Sequence, residues 1–430
     1  MPPFPSIVVT GLGAVAPNGI GIPAFAAALR QGKTGLRPLP FQHPHVQTVA
    51  VAACDDFDPG VVMSPADQKR LPRLVPMALM AAREAMSMAG LPEFATLDGP
   101  RQLTRDELEQ SQRIGLILGT GGGGIDFTIA QFRNHHDTGK GPSLWTITNA
   151  THGNLAGELS IRLGLRGPSH CVSTGCASSS DAIGTAMLHL QTGRLDAVVV
   201  GGADAHLLVE TLWPMQLLGV ISTGRWHPPE SASRPFDRDR DGFVLGEGAW
   251  FVVMERGDAA RAHGAKPLAT MLGYGATCDA YHRVRPDPNP EEAVRAIHLA
   301  LEQADLSPND IDYVQYHGTS TKLNDQVETQ TIKQALGAHA ASLPGSSIKS
   351  MLGHPQGACG AASVVATIAA LRGLDGGDPF LPPTINLDNP DPACDLDYVA
   401  NTSRPTNAKT ALVNCLAFGA KNTALILRVE

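Results

Sequence analysis

Short runs of β-branched and other apolar residues alternate along the chain with longer alanine-rich stretches, a pattern that predicts strands and helices in turn. Ile7–Thr10, Ile114–Leu118, Ala197–Val200, Trp250–Met254 and Ala411–Asn414 read as buried strands, so the class is α/β. The pattern also repeats. Residues 175–190 and 357–370 both read as small-residue helices followed by a glycine-rich bend, as expected where two related halves pack closely about a buried pseudo-twofold axis. We therefore expect a duplicated chain, with halves at 1–260 and 261–430 and no flexible linker between them. Two polar excursions, 223–242 and 373–397, are rich in turn formers and read as long surface loops whose charges are solvated.

The 430 residues exceed the roughly 250–300 that one core supports, which agrees with two halves. A net charge of −8 argues against a general nucleic-acid binder. No apolar run approaches the roughly 18 residues of a membrane span, and no basic segment opens the chain, Arg30 being the first cation. Seven cysteines, at 54, 171, 176, 278, 359, 394 and 415, form no C-x-x-C pair, so neither a disulfide framework nor a metal site is expected. A reducing, cytoplasmic setting follows as the expectation, with no membrane partner.

Position singles out Cys176. It lies in a small-residue turn, Val172 to Ser180, that leads into the helical pattern Asp181–Leu190, where free amides and a positive dipole end should favour the thiolate. In the second half a strand ends at His317, Gly318 turns the chain, and Thr319 and Thr321 follow. Lys349 and His354 then precede the second small-residue helix. If the halves pack symmetrically, one cysteine, two histidines and a lysine converge.

Taken in order and spacing, Gly175-Cys-Ala-Ser-Ser, His317-Gly-Thr-Ser-Thr, Lys349-Ser-Met-Leu-Gly-His354 and Asn414-Cys-Leu-Ala-Phe-Gly419 resemble the motifs of β-ketoacyl-acyl carrier protein synthases of the type II elongating class. The resemblance spans nearly the whole chain and implies a thiolase-type fold, a duplicated five-layer αβαβα arrangement. It implies decarboxylative Claisen condensation in fatty-acid elongation, or the same chemistry in specialised polyketide or polyene synthesis. Cys176 would carry the acyl group, with its own amide and that of Phe418 forming the oxyanion hole and Phe418 acting as a gate. His317 and His354 would be neutral donors to the enolate, and Lys349 would support them electrostatically. Thr319 and Thr321 would bind the phosphopantetheine arm, which an acyl carrier protein supplies, so no cofactor is bound by the chain itself. A homodimer, or a heterodimer with a chain-length-factor-like subunit, is implied as well.

By the same resemblance, Thr128 falls where a branched apolar residue often limits the acyl tunnel, and Trp145 and Ile147 fall in a segment facing the dimer partner. Carrier docking is expected at Lys69, Arg70 and Arg73. Gly219 stands where elongating synthases often carry an arginine, with Arg225 as the nearby substitute. Three departures surround the site: Ala420 and Lys421 follow Gly419 in the gate, and Ser363 replaces a helix glutamate expected near Lys349. Three other readings stand beside this one. Gly119–Gly124 and Gly11–Ala16 match dinucleotide-binding fingerprints, although the first strand lacks the acidic ribose ligand about 20 residues on. Cys415 sits where a thiolase would want a second cysteine. A partner subunit without activity is the non-enzymatic reading, opposed by the retained Cys176.

Overall fold

The structure is a computed structural model and describes residues 5–96, 99–224 and 226–430. Arg225 therefore lies outside the described residues. One large sheet runs through the molecule, built from β1 (Ile7–Ala16), β2 (Ile114–Gly119), β3 (Ser169–Val172), β4 (Ala197–Asp204), β5 (Gly248–Arg256), β6 (Ala269–Cys278), β7 (Tyr313–Gln315), β8 (Gly345–Ser346), β9 (Thr410–Ala417) and β10 (Lys421–Val429). Gly19–Ile20 adds a short strand beside β1. The order is β8-β7-β9-β10-β6-β1-β5-β4-β2-β3.

That order is palindromic about the β6–β1 contact, and so is the direction of each pair. In the first half β1–β5 and β5–β4 are antiparallel and β4–β2 and β2–β3 parallel. The second half repeats this, with β6–β10 and β10–β9 antiparallel and β9–β7 and β7–β8 parallel. A ladder from Ile7↔Met271 to Val9↔Ala269 joins the halves. The expected duplication is thus written in the topology.

Strand alternation sets the layers, because successive side chains leave a strand on opposite faces. Val198, Val200, Trp250, Val252 and Met254 point into a central core shared with the helices α3 (Ser178–Gln191) and α6 (Cys359–Leu371). Ala197, Val199, Phe251 and Val253 point the other way, against α1 (Leu74–Ala89) and α2 (His152–Leu163). In the second half Ala411, Val413, Leu425 and Leu427 face the central core, while Leu412, Ala424 and Ile426 face α4 (Glu291–Ala304) and α5 (Lys322–Leu336). The stack is helix, sheet, helix pair, sheet, helix. With both faces of each half of the sheet covered, the strands read as continuous apolar runs.

The first glycine-rich fingerprint belongs to this packing. A Cβ on Gly11 or Gly13 would lie 1.9 Å from the carbonyl oxygen of Ala85 or 1.8 Å from that of Ala81, so these glycines let α1 lie directly on β1. One expectation is corrected. The 223–242 excursion is not a solvated face: Ser233, Arg234, Phe236, Asp237 and Arg240 are buried. Arg240 pairs with Asp325 at 3.3 Å and Asp391 at 2.7 Å, and Asp237 accepts the amides of Asp388 and Asn389. Opposite charges from two long loops neutralise each other, which allows them to be buried together.

Candidate active site

Each half sends two loops to the inner face, one after its β2 or β7 strand and one after its β3 or β8 strand. Cys176 lies between β3 and α3, and His354 lies at the equivalent place between β8 and α6. His317 follows β7. The duplication thus carries Cys176, His317, His354 and Lys349 to one point, where all four are nearly fully buried. The Cys176 sulfur and one ring nitrogen of each histidine lie within 4.8 Å of one another. They sit on a cleft of about 700 Å³ that Thr319, Thr321 and Phe418 also line.

The two histidines are held as neutral donors. Burial, followed by the charge of Lys349, pushes both imidazoles well below their ordinary value. The main-chain N–H of Gln356 donates to Nδ1 of His354 at 3.0 Å. The Lys349 ammonium lies 3.3 Å from Nδ1 of His317 and donates to the His317 carbonyl at 2.6 Å. With Nδ1 accepting in both rings, each proton resides on Nε2. Lys349 has no carboxylate partner among the described residues; Ser363, buried on α6, supplies none. Three donors so close also fit a soft metal ion, but the neighbouring ammonium sets a positive charge against a cation.

The thiolate expectation is overturned in the resting site. Burial pushes the Cys176 thiol up to about 11, and the opposing pull of Lys349 and of the Phe418 and Cys176 amides does not offset it. Cys176 also precedes the N-cap, Ala177, rather than lying in the first helical turn. The thiol is therefore protonated at neutral pH. Those two amides aimed at the sulfur nonetheless make the pair of donors that an oxyanion hole requires. The Phe418 amide is set by a tight turn between the β9–β10 partners Ala417 and Lys421. Gly419 has φ +83° and Ala420 φ +61°. The Gly419 N–H donates to the Arg283 carbonyl at 2.9 Å, and the Asp279 N–H to the Ala420 carbonyl at 2.8 Å. The Lys421 ammonium folds back over Gly419, and Asn422 lines the cleft in its place.

Sequence reasoning missed two carboxylates that hold the His317 loop. Glu328, fully buried on α5, accepts the N–H groups of His317 and Gly318 and the Asn414 amide, each at 2.7 Å. Burial, working against these bonds, raises it to about 7. Asp325 accepts the Thr319 and Phe236 amides, both at 2.9 Å. Their signal was an i,i+3 acidic pair on the helix directly after His317-Gly-Thr-Ser-Thr. A third, Asp204 at the end of β4, accepts Thr120 Oγ1 and the amides of Gly121, Gly122 and Gly357 at 2.7–2.9 Å. The second glycine-rich fingerprint therefore wraps an internal carboxylate, which occupies the place a dinucleotide phosphate would need.

Other expected positions fall elsewhere. Thr128 bonds back to the Gly124 carbonyl at 2.9 Å, and Trp145 and Ile147 are exposed; none lines the cleft. Arg73 is not a free docking cation: its guanidinium grips the buried Glu247 at 2.8 Å and the Cys54 carbonyl at 3.0 Å. Arg70 lies 3.7 Å from Asp67, and Lys69 is exposed. The cations at the mouth of the cleft are instead Arg283, Arg285 and Lys322, all exposed. Cys415, the residue a thiolase would use, does not line the cleft.

Fold and site together define a ketosynthase of thiolase-type architecture. The chain belongs to the β-ketoacyl synthase family, acyltransferases that catalyse condensation: residues 5–260 match the "Beta-ketoacyl synthase, N-terminal domain" and residues 268–388 the "Beta-ketoacyl synthase, C-terminal domain". It is 38% identical over 430 residues to "3-oxoacyl-[acyl-carrier-protein] synthase 2" of Synechocystis, covering 98% of this chain and 97% of that one. It is also 38% identical over 432 residues to "Putative polyketide beta-ketoacyl synthase 1" of Streptomyces cyaneus, with the same coverage. Among solved structures it resembles a type II polyketide acyl-carrier protein in complex with its ketosynthase, at TM-score 0.87, 28% identity and 100% coverage of both chains. The ishigamide ketosynthase/chain length factor resembles it equally, at 0.87, 30% identity and 100% coverage of both chains. Among the described residues no helix is long and apolar enough to cross a membrane.

Proposed function

We propose that the chain condenses a Cys176-bound acyl group with a malonyl thioester delivered by an acyl carrier protein. The observation that carries this is the convergence of the buried thiol, two amides on its sulfur and two neutral imidazoles at the base of one cleft. In the first half-reaction the Cys176 sulfur attacks the acyl carbonyl, the amides of Cys176 and Phe418 hold the oxyanion, and the thiol proton leaves with the carrier thiol. Next, the malonyl C–C bond breaks, carbon dioxide departs, and the electron pair moves onto the thioester oxygen, held by Nε2–H of His317 and His354. The resulting carbanion attacks the acyl-Cys176 carbonyl, and collapse of that adduct frees the Cys176 thiolate. Thr319 and Thr321, 2.9 Å apart at the cleft wall, present hydroxyls to the pantetheine arm, which the carrier supplies. The carrier approaches the lip formed by Arg283, Arg285 and Lys322, where a cationic surface meets an acidic partner.

Both fatty-acid elongation and polyketide or polyene assembly use this chemistry, and the chain resembles enzymes named for each. Trp145, Ile147 and the exposed edge strand β3 support pairing with a second subunit, either a copy of this chain or a chain-length-factor-like protein. Seven unpaired cysteines support a cytoplasmic site of action. Intact-protein mass spectrometry after incubation with saturated and polyunsaturated acyl carrier thioesters tests the reading. Adducts present in the wild type and absent in Cys176→Ala are expected. Saturated chains alone would assign elongation, unsaturated or aryl-primed chains specialised synthesis, and no adduct with any primer would refute an independent enzyme.

A further inference from the structure

The Cys415 thiol is buried beside the reaction centre and does not line the cleft. It is buried on β9, three residues before Phe418. Its sulfur is 3.3 Å from the main-chain oxygen of Cys176 and 3.3 Å from Nδ1 of His317. It thus touches both the nucleophile's backbone and a histidine of the cleft. Cys176, Ala177, Cys359 and Cys415 form a small cluster of their own, so no solvent competes for these contacts.

A neutral imidazole has one acceptor nitrogen. At His354 a short main-chain bond from Gln356 fills it, and the Cys359 sulfur is farther off at 3.5 Å. At His317 no main-chain donor among the described residues reaches Nδ1. The ring is held there by a flexible lysine, which also serves the carbonyl of the same residue, and by Cys415. Burial raises the Cys415 thiol far above its ordinary value, so it keeps its S–H and cannot withdraw it by ionising.

We propose that Cys415 is a positioning residue for the condensation. The Cys415 sulfur lies 3.3 Å from both the Cys176 carbonyl oxygen and Nδ1 of His317, and its one S–H, shared between these two acceptors as a three-centre bond, holds the imidazole as the Nε2–H tautomer at a set distance from the nucleophile. Acyl transfer to Cys176 relies on the two amides and does not need this link. Decarboxylation needs the Nε2–H of His317 aimed at the developing enolate, and it does.

The role rests on the condensation reading, and the test keeps the two apart. Cys415→Ala deletes the sulfur and its proton, whereas Cys415→Ser puts a smaller hydroxyl donor in the same place, so comparing them, with Cys415→Val as a bulkier variant that lacks a donor, separates the donor from the packing. Each variant and the wild type is assayed separately for acylation of Cys176 and for decarboxylation of a malonyl carrier thioester, with thermal unfolding as a check on folding. The expected result is acylation within about twofold of wild type in both variants, decarboxylation lowered roughly 10-fold in Cys415→Ala, and recovery to within about threefold in Cys415→Ser. If the alanine chain does not fold, Cys415→Val replaces it as the variant without a donor. Equal decarboxylation in the alanine and serine variants, or acylation falling in step with decarboxylation, overturns the role. A wild type that acylates yet never decarboxylates malonyl thioester refutes the condensation reading instead.

Discussion

The loops that follow β2 and β7 occupy equivalent places in the two halves, and both donate amides to a buried carboxylate. After β2 the receiver is Asp204, and the loop is reduced to Gly121, Gly122, Gly123 and Gly124. After β7 the receivers are Glu328 and Asp325, and the loop carries His317, Thr319 and Thr321. The anchoring is shared, while the chemistry was placed on one side only. A bare loop in the first half lets the second half's glycine-rich turn come close: a Cβ on Gly357 would lie 2.3 Å from the Gly121 nitrogen. Symmetry supplies the scaffold, and its local loss supplies the site.

Removing the nucleophile should have the largest effect. Cys176→Ala is expected to lower condensation by roughly four orders of magnitude or more and to abolish acyl adducts in intact mass spectra. Substituting either histidine of the second half should separate the half-reactions. His317→Ala or His354→Ala is expected to slow malonyl decarboxylation roughly 10²- to 10⁴-fold while acyl-Cys176 still accumulates, as rapid-quench assays of each step would show.

The two anchors can then be set against each other in urea unfolding. Asp204→Ala strands four donors and Glu328→Ala three, so losses on the order of 3–5 kcal/mol are expected, with Asp204→Ala the larger. Their pH behaviour sharpens the contrast. Glu328 is raised in the folded chain from 4.5 to about 7, so between those values the native state holds a proton that the unfolded state has released. Its stabilising contribution is fully present below about 4.5 and is lost as pH rises through 7. Glu328→Gln should flatten that part of the stability profile.

Smaller effects concern the rims. Arg283→Glu with Arg285→Glu should raise KM for a carrier-borne thioester roughly 10-fold and leave turnover of a pantetheine-sized thioester unchanged, whereas Lys69→Ala changes neither. Ala420→Gly should stabilise the chain by about 0.5–1 kcal/mol in thermal unfolding, since alanine is held at φ +61° in the turn between β9 and β10.

Much of the architecture was legible from local pattern. Apolar runs bounded by turn formers marked β1, β2, β4, β5 and β9, and the repeated small-residue helices revealed the duplication, because strand burial and close helix packing are imposed on each residue where it stands. Cys176, His317 and His354 were legible as well, since each sits in a glycine-flanked loop beside an element end, and Lys349 through its place just before His354. Ionisation was not legible. A thiol two residues before a helix reads as a candidate thiolate, yet burial beneath two sheets outweighs the amides and Lys349, and that burial exists only once the halves close. Arg73 read as a free cation until Glu247, 174 residues away, claimed it. The glycine tract matched a dinucleotide fingerprint and close backbone packing alike, and the buried Asp204 that its amides bind was invisible from its place in the sequence. Sequence by itself determined which residues stand at the ends of strands; the tertiary structure decided which charges meet, because ion pairing and desolvation depend on distances between segments remote along the chain.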